Sequence, residues 1–253
     1  MPHTPSITNA ALTRQLFAIA AVLLVCSLGW DMAGLDLFTM RSLGNVDGFP
    51  LRDDWWLESI LHDSVAKIAR IPFIVLLINI WRPLPLLGLL AELPRRDRAA
   101  LAINVLISAL SVSLIKQASL TSCPWSLGEF GGTAEYVSHW AWGMPDGGGG
   151  RCFPGGHSTT AFCFAGIAIP FMADPSAARR RLGRWLLAGL LAGGFMLGGV
   201  QIVRGAHYPS HIFWAASLSW LVTCVVWSAW REWDRRATSR ASAPVPAQRD
   251  RQQ

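Results

Sequence analysis

The chain has 253 residues, 52% of them hydrophobic and 15% charged, with a formal charge of +6. A soluble domain carries about a quarter charged residues; this balance, with thirteen Trp against two Tyr, excludes an ordinary soluble domain and points to an integral membrane protein, large enough for one compact helical domain. The positive charge sits in Arg clusters beside apolar runs, "RRDR" at 95–98, "RRRLGR" at 179–184 and the tail from Arg231 to Arg251. That is the pattern of cytoplasmic loops, and without a basic face of interleaved aromatics nucleic acid is excluded as a partner.

A membrane-crossing helix needs roughly 20 predominantly apolar residues. In chain order six stretches qualify: 15–35, 64–81, 99–116, 158–173, 185–203 and 212–230. The first lacks the small-residue cleavage site of a secretory signal and reads as a retained span. The second is the weakest, since it carries Lys67, Arg70 and Pro72. The expected fold is all-α, a six-transmembrane-helix bundle over residues 15–236. It lies between a cytoplasmic N-terminus, 1–14, and a Pro-, Ala- and Arg-rich tail, 237–253, read as disordered.

Placing both termini inside puts fifteen of the 22 basic residues on the cytoplasmic side and seven on the other, which sets that orientation. Twenty Arg against two Lys indicate a GC-rich genome and hence a bacterial inner (plasma) membrane. On this topology Lys116, Arg151, His157, Arg204, His207 and His211 all fall at the outer (periplasmic) face, which is where a site is expected.

Lys116 ends the third span, either as a compact ammonium for an anion or as a snorkelling interfacial side chain. The stretch "RCFPGGHSTTAF", 151–162, opens the fourth span. A helix N-terminus there offers unpaired N–H groups and a positive dipole end. Gly155 and Gly156 allow close backbone approach, and His157 is placed to protonate a leaving oxygen; alternatively this is a Gly-rich loop with a capping Ser158. In "QIVRGAHYPSHIF", 201–213, Arg204 and His207 are one helical turn apart. His207 and His211 stand four apart across Pro209, a spacing also open to metal ligands, though no carboxylate or Cys set completes such a site.

Together Lys116 through "CP" at 123–124, then "PGGH", then "RGAHYPSH" resemble the type 2 phosphatidic acid phosphatase family of membrane lipid phosphatases. Its pattern is Lys-x6-Arg-Pro, Pro-Ser-Gly-His and Ser-Arg-x5-His-x3-Asp on six helices, and the resemblance covers roughly residues 60–230. It implies that Lys116 binds phosphate oxygens, and that Gly155, Gly156 and Ser158 cradle the phosphoryl group. His157 would be the general acid, Arg204 would hold equatorial oxygens, and His207 would form a phosphohistidine. The implied substrate is a phosphorylated lipid, with no metal or other cofactor. A phosphotransferase using the same site, or a lipid-phosphate binder with a degraded site, are the alternatives.

Four positions depart from the pattern. Cys123 replaces Arg, and Arg151 is the candidate to supply that guanidinium. Gly155 replaces Ser. Gln201 stands six residues before His207, with Arg204 a turn later. His211 replaces the Asp that orients the nucleophile, so the missing charge is sought in Asp53, Asp54, Asp63 or Glu129. Cys26, Cys163 and Cys224 read as core thiols. Cys123 and Cys152 share an outer loop, and in an oxidising compartment a disulfide between them is expected, worth roughly 3–4 kcal/mol on chain entropy.

Overall fold

The computed structural model describes residues 7–59 and 65–241. Among them ten α-helices follow in order: α1 (Ile7–Met32), α2 (Leu35–Leu43), α3 (Val65–Ile68), α4 (Arg70–Trp81), α5 (Leu89–Glu92), α6 (Arg95–Ala118), α7 (Gly156–Phe162), α8 (Ala168–Met172), α9 (Ala177–Val203) and α10 (Pro209–Ala241). The described residues form no strand, only two isolated bridges.

Four helices are long and apolar enough to cross a membrane: Ala10–Met32, Arg95–Ala118, Ala177–Val203 and Pro209–Arg240. They match the first, third, fifth and sixth predicted stretches. The second is a shorter apolar helix, α4, preceded by the single turn of α3. The fourth, 158–173, is not one continuous α-helix: α7 passes through a turn and a 3-10 segment, Ala165–Ile167, before α8 resumes. Pro170 has no N–H to give the carbonyl of Gly166, so the path tightens there. Gly166 also lies against α6, where an added Cβ would come 2.6 Å from Asn104 Oδ1.

The broken segment is the centre of the molecule. All five residues of α8 are buried, as suits a helix that is apolar all round. α9 packs on α7 and α8, α10 on α6 and α1, and α4 on α6. Small residues let α9 come close: a Cβ at Gly194 would meet Phe162 at 2.2 Å, and one at Gly183 would meet Met172 N at 2.8 Å. Such contacts replace the hydrophobic drive that lipid cannot supply between helices. Interhelical hydrogen bonds add to them, with Thr223 Oγ1 donating to Asn104 Oδ1 at 3.1 Å and Ser27 paired with Ser217 at 2.8 Å.

Lys116, His157 and His207 gather at one end of the bundle, where Trp55, Trp56, Trp140 and Trp142 are exposed. Trp81, Trp185 and Trp233 are exposed toward the other. Two aromatic girdles are what two membrane interfaces select. α1 begins within the stretch read as an N-terminal segment, and α10 continues through Ala241, into the stretch read as a disordered tail. Residues 1–6 and 242–253 lie outside the described residues.

Gly194→Ala is expected to destabilise by about 1–3 kcal/mol, because the methyl overpacks against Phe162. Gly189→Ala, with nothing within 4 Å of the added Cβ, is expected to be neutral or slightly stabilising. Thermal unfolding of both variants in detergent checks the contrast.

Candidate functional site

The last turn of α9 delivers the first histidine. Gly205 sits at φ 73° just past the helix; its N–H bonds Ile202 O at 2.9 Å, and Ala206 N–H bonds Gln201 O at 2.8 Å. This is a Schellman closure, in which a left-handed Gly satisfies the final carbonyls. An added Cβ at Gly205 would strike Phe49 at 2.2 Å, and Trp125 N–H bonds the Gly205 carbonyl at 3.0 Å. The turn before His207 is therefore pinned from two sides.

α10 opens at Pro209, a residue suited to a first helical turn. Its capping carboxylate comes from α2: Asp36 accepts from Ser210 N–H at 3.0 Å and from Ser210 Oγ at 2.5 Å, and Trp30 Nε1 donates to it at 2.9 Å. Burial holds the Asp36 carboxyl above the usual carboxylate range, against those donors. With α10 fixed in this way, His211 is only 1% exposed.

The loop 151–156 runs between the end of α6 and the start of α10. Cys123 and Cys152 form the expected disulfide, Cα to Cα 5.1 Å. A disulfide sulfur carries no hydrogen, so Cys152 Sγ can only accept; it lies 3.5 Å from His207 Nδ1 and also touches the Ala206 carbonyl at 3.1 Å. Gly155 N–H donates to His211 O at 2.9 Å. His211 Nδ1 lies 3.0 Å from Cys152 O; since a carbonyl only accepts, Nδ1 bears the proton and Nε2 the lone pair. That Nε2 is buried and finds no hydrogen-bond partner among the described residues. The His207 and His211 rings stand 5.8 Å apart, edge to face.

Gly156 begins α7, and an added Cβ there would lie 3.5 Å from Lys116 Cδ. Lys116, the 155–157 turn and the 207–211 pair are thus brought together, as the sequence spacing implied. Ser158 lies at the same turn, fully buried, with its hydroxyl donating to Gly155 O at 3.0 Å. Gly155 commits its N–H to His211, while Gly156 and His157 occupy the first helical turn, whose N–H groups have no intrahelical partner. Arg204 is 3% exposed and turns toward the first loop, with Nε donating to Arg52 O at 2.8 Å and Nη2 3.5 Å from Glu58 Oε1. Arg151 adopts φ 59° and is exposed, and its backbone N–H donates to Ser119 O at 2.8 Å.

Of the four carboxylates considered for His207, the three that are described have other neighbours. Glu129 pairs with Arg41 at 2.5 Å, which holds it below the usual range. Asp53 is 85% exposed beside Arg52, and Asp54 accepts from Leu57 N–H at 3.1 Å. Asp63 lies outside the described residues. The sequence reading missed Asp31, Asp36 and His139, whose donor atoms lie within 4.8 Å of one another. The signal was available: an Asp at each end of "DMAGLD", 31–36, closing an apolar span is costly unless it has a task. This trio and Cys123–Cys152–His207 are groups with enough donors for a metal. In the first the carboxylates already accept from Trp30, Trp140, Trp214 and Ser210, and in the second the thiols are joined.

An apolar cavity of about 580 Å³ opens beside Lys116 and Gly156 and runs between α4, α6 and α7, past Ile74, Ala109 and Phe164. A second, of about 700 Å³, lies toward the other end; Phe73, Leu77 and Leu106 line both.

A family model, the PAP2 superfamily, matches residues 98–235, more than half of the chain. No curated protein and no solved structure matches it. The chain belongs to the PAP2 superfamily, whose members are phosphoesterases and phosphatases, so its chemistry is that of phosphate esters in a membrane protein.

Gly155 stands where the family pattern has Ser, and a Cβ there would come 2.6 Å from Ile212 Cδ1. Gly155→Ser is expected to destabilise by about 1–3 kcal/mol. Ile212→Val, which deletes that Cδ1, is expected to cost about 1 kcal/mol alone and to recover part of the loss in the double variant. A double-mutant cycle of unfolding free energies measures the coupling.

Proposed function

We propose that this PAP2 superfamily member is a membrane lipid phosphatase, hydrolysing a phosphomonoester or pyrophosphate of a lipid through a phosphohistidine on His207. The observation that carries the reading is the juxtaposition of a cationic mouth, Lys116 over Gly156, with the apolar groove of about 580 Å³ that leaves it. A phosphate ester of a small polar alcohol has no use for such a groove. An acyl or isoprenyl chain does, and shared lining residues connect the groove to the second cavity.

In this reading Lys116 and the first N–H groups of α7 bind the phosphate oxygens. Arg204 turns to them when phosphate displaces Glu58, whose carboxylate is 48% exposed. His207 Nε2 attacks phosphorus and the bond to the lipid oxygen breaks, while His157 gives that oxygen its proton. Water then attacks the phosphohistidine, passing a proton to His157 and releasing inorganic phosphate. As the His207 ring becomes cationic, its Nδ1–H faces Cys152 Sγ at 3.5 Å, with the neutral His211 ring 5.8 Å away. Cationic side chains and backbone amides stabilise the transferring group. The basic-residue bias, fifteen against seven, supports both termini in the cytoplasm of a bacterial inner membrane. With α4 and the 156–172 segment counted as passes, there are six spans and the site faces the outer leaflet.

Phosphate release by the purified protein from phosphatidic acid, phosphatidylglycerophosphate, an isoprenyl pyrophosphate and a lipid A phosphate tests the reading. His207→Ala is expected to lower release by ~10³-fold or more, and quenched enzyme is expected to hold acid-labile, alkali-stable phosphate. Ala109→Trp, which fills the groove, is expected to lower kcat/KM for long-chain lipids roughly tenfold while sparing a short water-soluble phosphate ester. Equal turnover of long and short substrates, unaltered by the Trp, would sink the lipid assignment. Label passing to a second lipid instead of water would identify a phosphotransferase.

A further inference from the structure

The proposed nucleophile lacks the carboxylate that its family pattern places four residues on. A ring that becomes cationic in a buried site needs a counter-charge, and His211 as a neutral imidazole brings none.

Behind His211 the row of imidazoles continues. His139, from the loop between α6 and α7, meets the His211 ring edge-on, with centroids 5.7 Å apart and planes at 87°. It is held flat against Phe153, centroids 4.3 Å apart and planes at 8°, and Phe153 follows Cys152, whose sulfur and carbonyl touch the two site histidines. On its far side His139 Nε2 lies 3.3 Å from Asp31 Oδ2, with side chains only 5% and 10% exposed. Asp31 in turn accepts from Trp140 Nε1 at 3.0 Å and Trp214 Nε1 at 2.7 Å. Two neutral indole donors orient this carboxylate without cancelling its charge. His207, His211, His139 and Asp31 thus form one buried row drawn from three separate segments of the chain. Other ionisable groups flank it, Lys116 from α6 and Tyr136 and Tyr208 from the loops, and Asp36 is engaged with Ser210.

Resting on His207 as the nucleophile of the proposed phosphatase, we infer that Asp31, acting through His139 and His211, is its remote counter-charge, and that Asp31 and His139 are positioning residues for the phosphoryl-transfer step. The effect is electrostatic. The bond from His207 Nε2 to phosphorus forms, the bond to the lipid oxygen breaks, and the proton on His207 Nδ1 stays there; none travels along the row. The carboxylate lowers the energy of the cationic phosphohistidine and of the transition state before it, and contributes little to binding the neutral-ring ground state.

The test uses full-length protein in detergent with whichever lipid of the panel it hydrolyses. Asp31→Asn keeps an oxygen for the two indoles and removes the charge. A charge this far away in a medium of effective dielectric about 20 is expected to change kcat by roughly tenfold, with KM little altered, and Asp31→Glu is expected to restore most of the loss. Asp97→Asn is the control: it alters another carboxylate bound by an indole, from Trp230 at 3.0 Å, at the opposite end of the bundle, and is expected to leave kcat unchanged. Orthovanadate binding supplies a second readout without turnover, expected to weaken in Asp31→Asn and recover in Asp31→Glu. Unchanged kcat and vanadate affinity in Asp31→Asn, with activity intact in the unmodified protein, overturn this inference and leave the phosphatase reading standing. Loss of kcat that Asp31→Glu fails to restore assigns Asp31 a purely structural part and overturns it as well. Unmodified protein that neither releases phosphate nor binds vanadate overturns both.

Discussion

Two hydrogen bonds between the 152–155 loop and residue 211 hold the site together. Gly155 N–H donates to the His211 carbonyl, and His211 Nδ1 reaches back to the Cys152 carbonyl. Each satisfies a buried polar group that would otherwise cost about 1–3 kcal/mol. Between them they fix the distance from the start of α7 to the start of α10, the two helix ends that carry His157 and His211. The disulfide tightens the same loop from the other side and brings its sulfur against His207. The loop is rigid because a backbone clasp and a covalent bond converge within four residues.

That clasp explains why the departures from the family pattern cluster. A Ser at 155 would drive its Cβ into Ile212, the residue after the clasped His211. Cys123 has exchanged a guanidinium for half of the disulfide. Of the cations that the family pattern names, Lys116 sits beside Gly156, and Arg204 lies one helical turn from Gln201, which is buried with an amide nitrogen that lacks a partner among the described residues. The substitutions read as one rearranged loop, not as scattered loss.

Much of this was legible in sequence. The long apolar runs became α1, α6, α9 and α10 because length and hydropathy nearly suffice for a helix that faces lipid. The disulfide was legible because two Cys shared one polar loop. The segment after "PGGH" was only half legible: apolarity marks it as buried, but nothing periodic reveals that Pro170 and the close approach of Gly166 to Asn104 break it into α7, a 3-10 turn and α8. What motif spacing made legible is that Lys116, the 155–157 turn and the 207–211 pair come together. The site was not legible where contacts are long-range. Asp36 caps α10 from 174 residues away, and Asp31 meets His139 across a fold that no local pattern announces.

The Cys152 carbonyl also accounts for the histidine at 211. It points at the side chain of that residue from 3.0 Å. An ionised Asp there would set oxygen against oxygen in a buried space, an arrangement that favours protonation and so cancels the charge it was meant to supply. The position calls for a donor, and an imidazole provides one at Nδ1 while keeping an acceptor at Nε2. Once the loop carbonyl is turned inward, a carboxylate cannot remain at position 211. In this chain the nearest group of that kind on the row is Asp31, two rings away, kept in place by Trp140 and Trp214. Trp140 stands at the end of the bundle where Trp55, Trp56 and Trp142 are also exposed, so residues of the kind that a membrane interface favours also orient the buried charge.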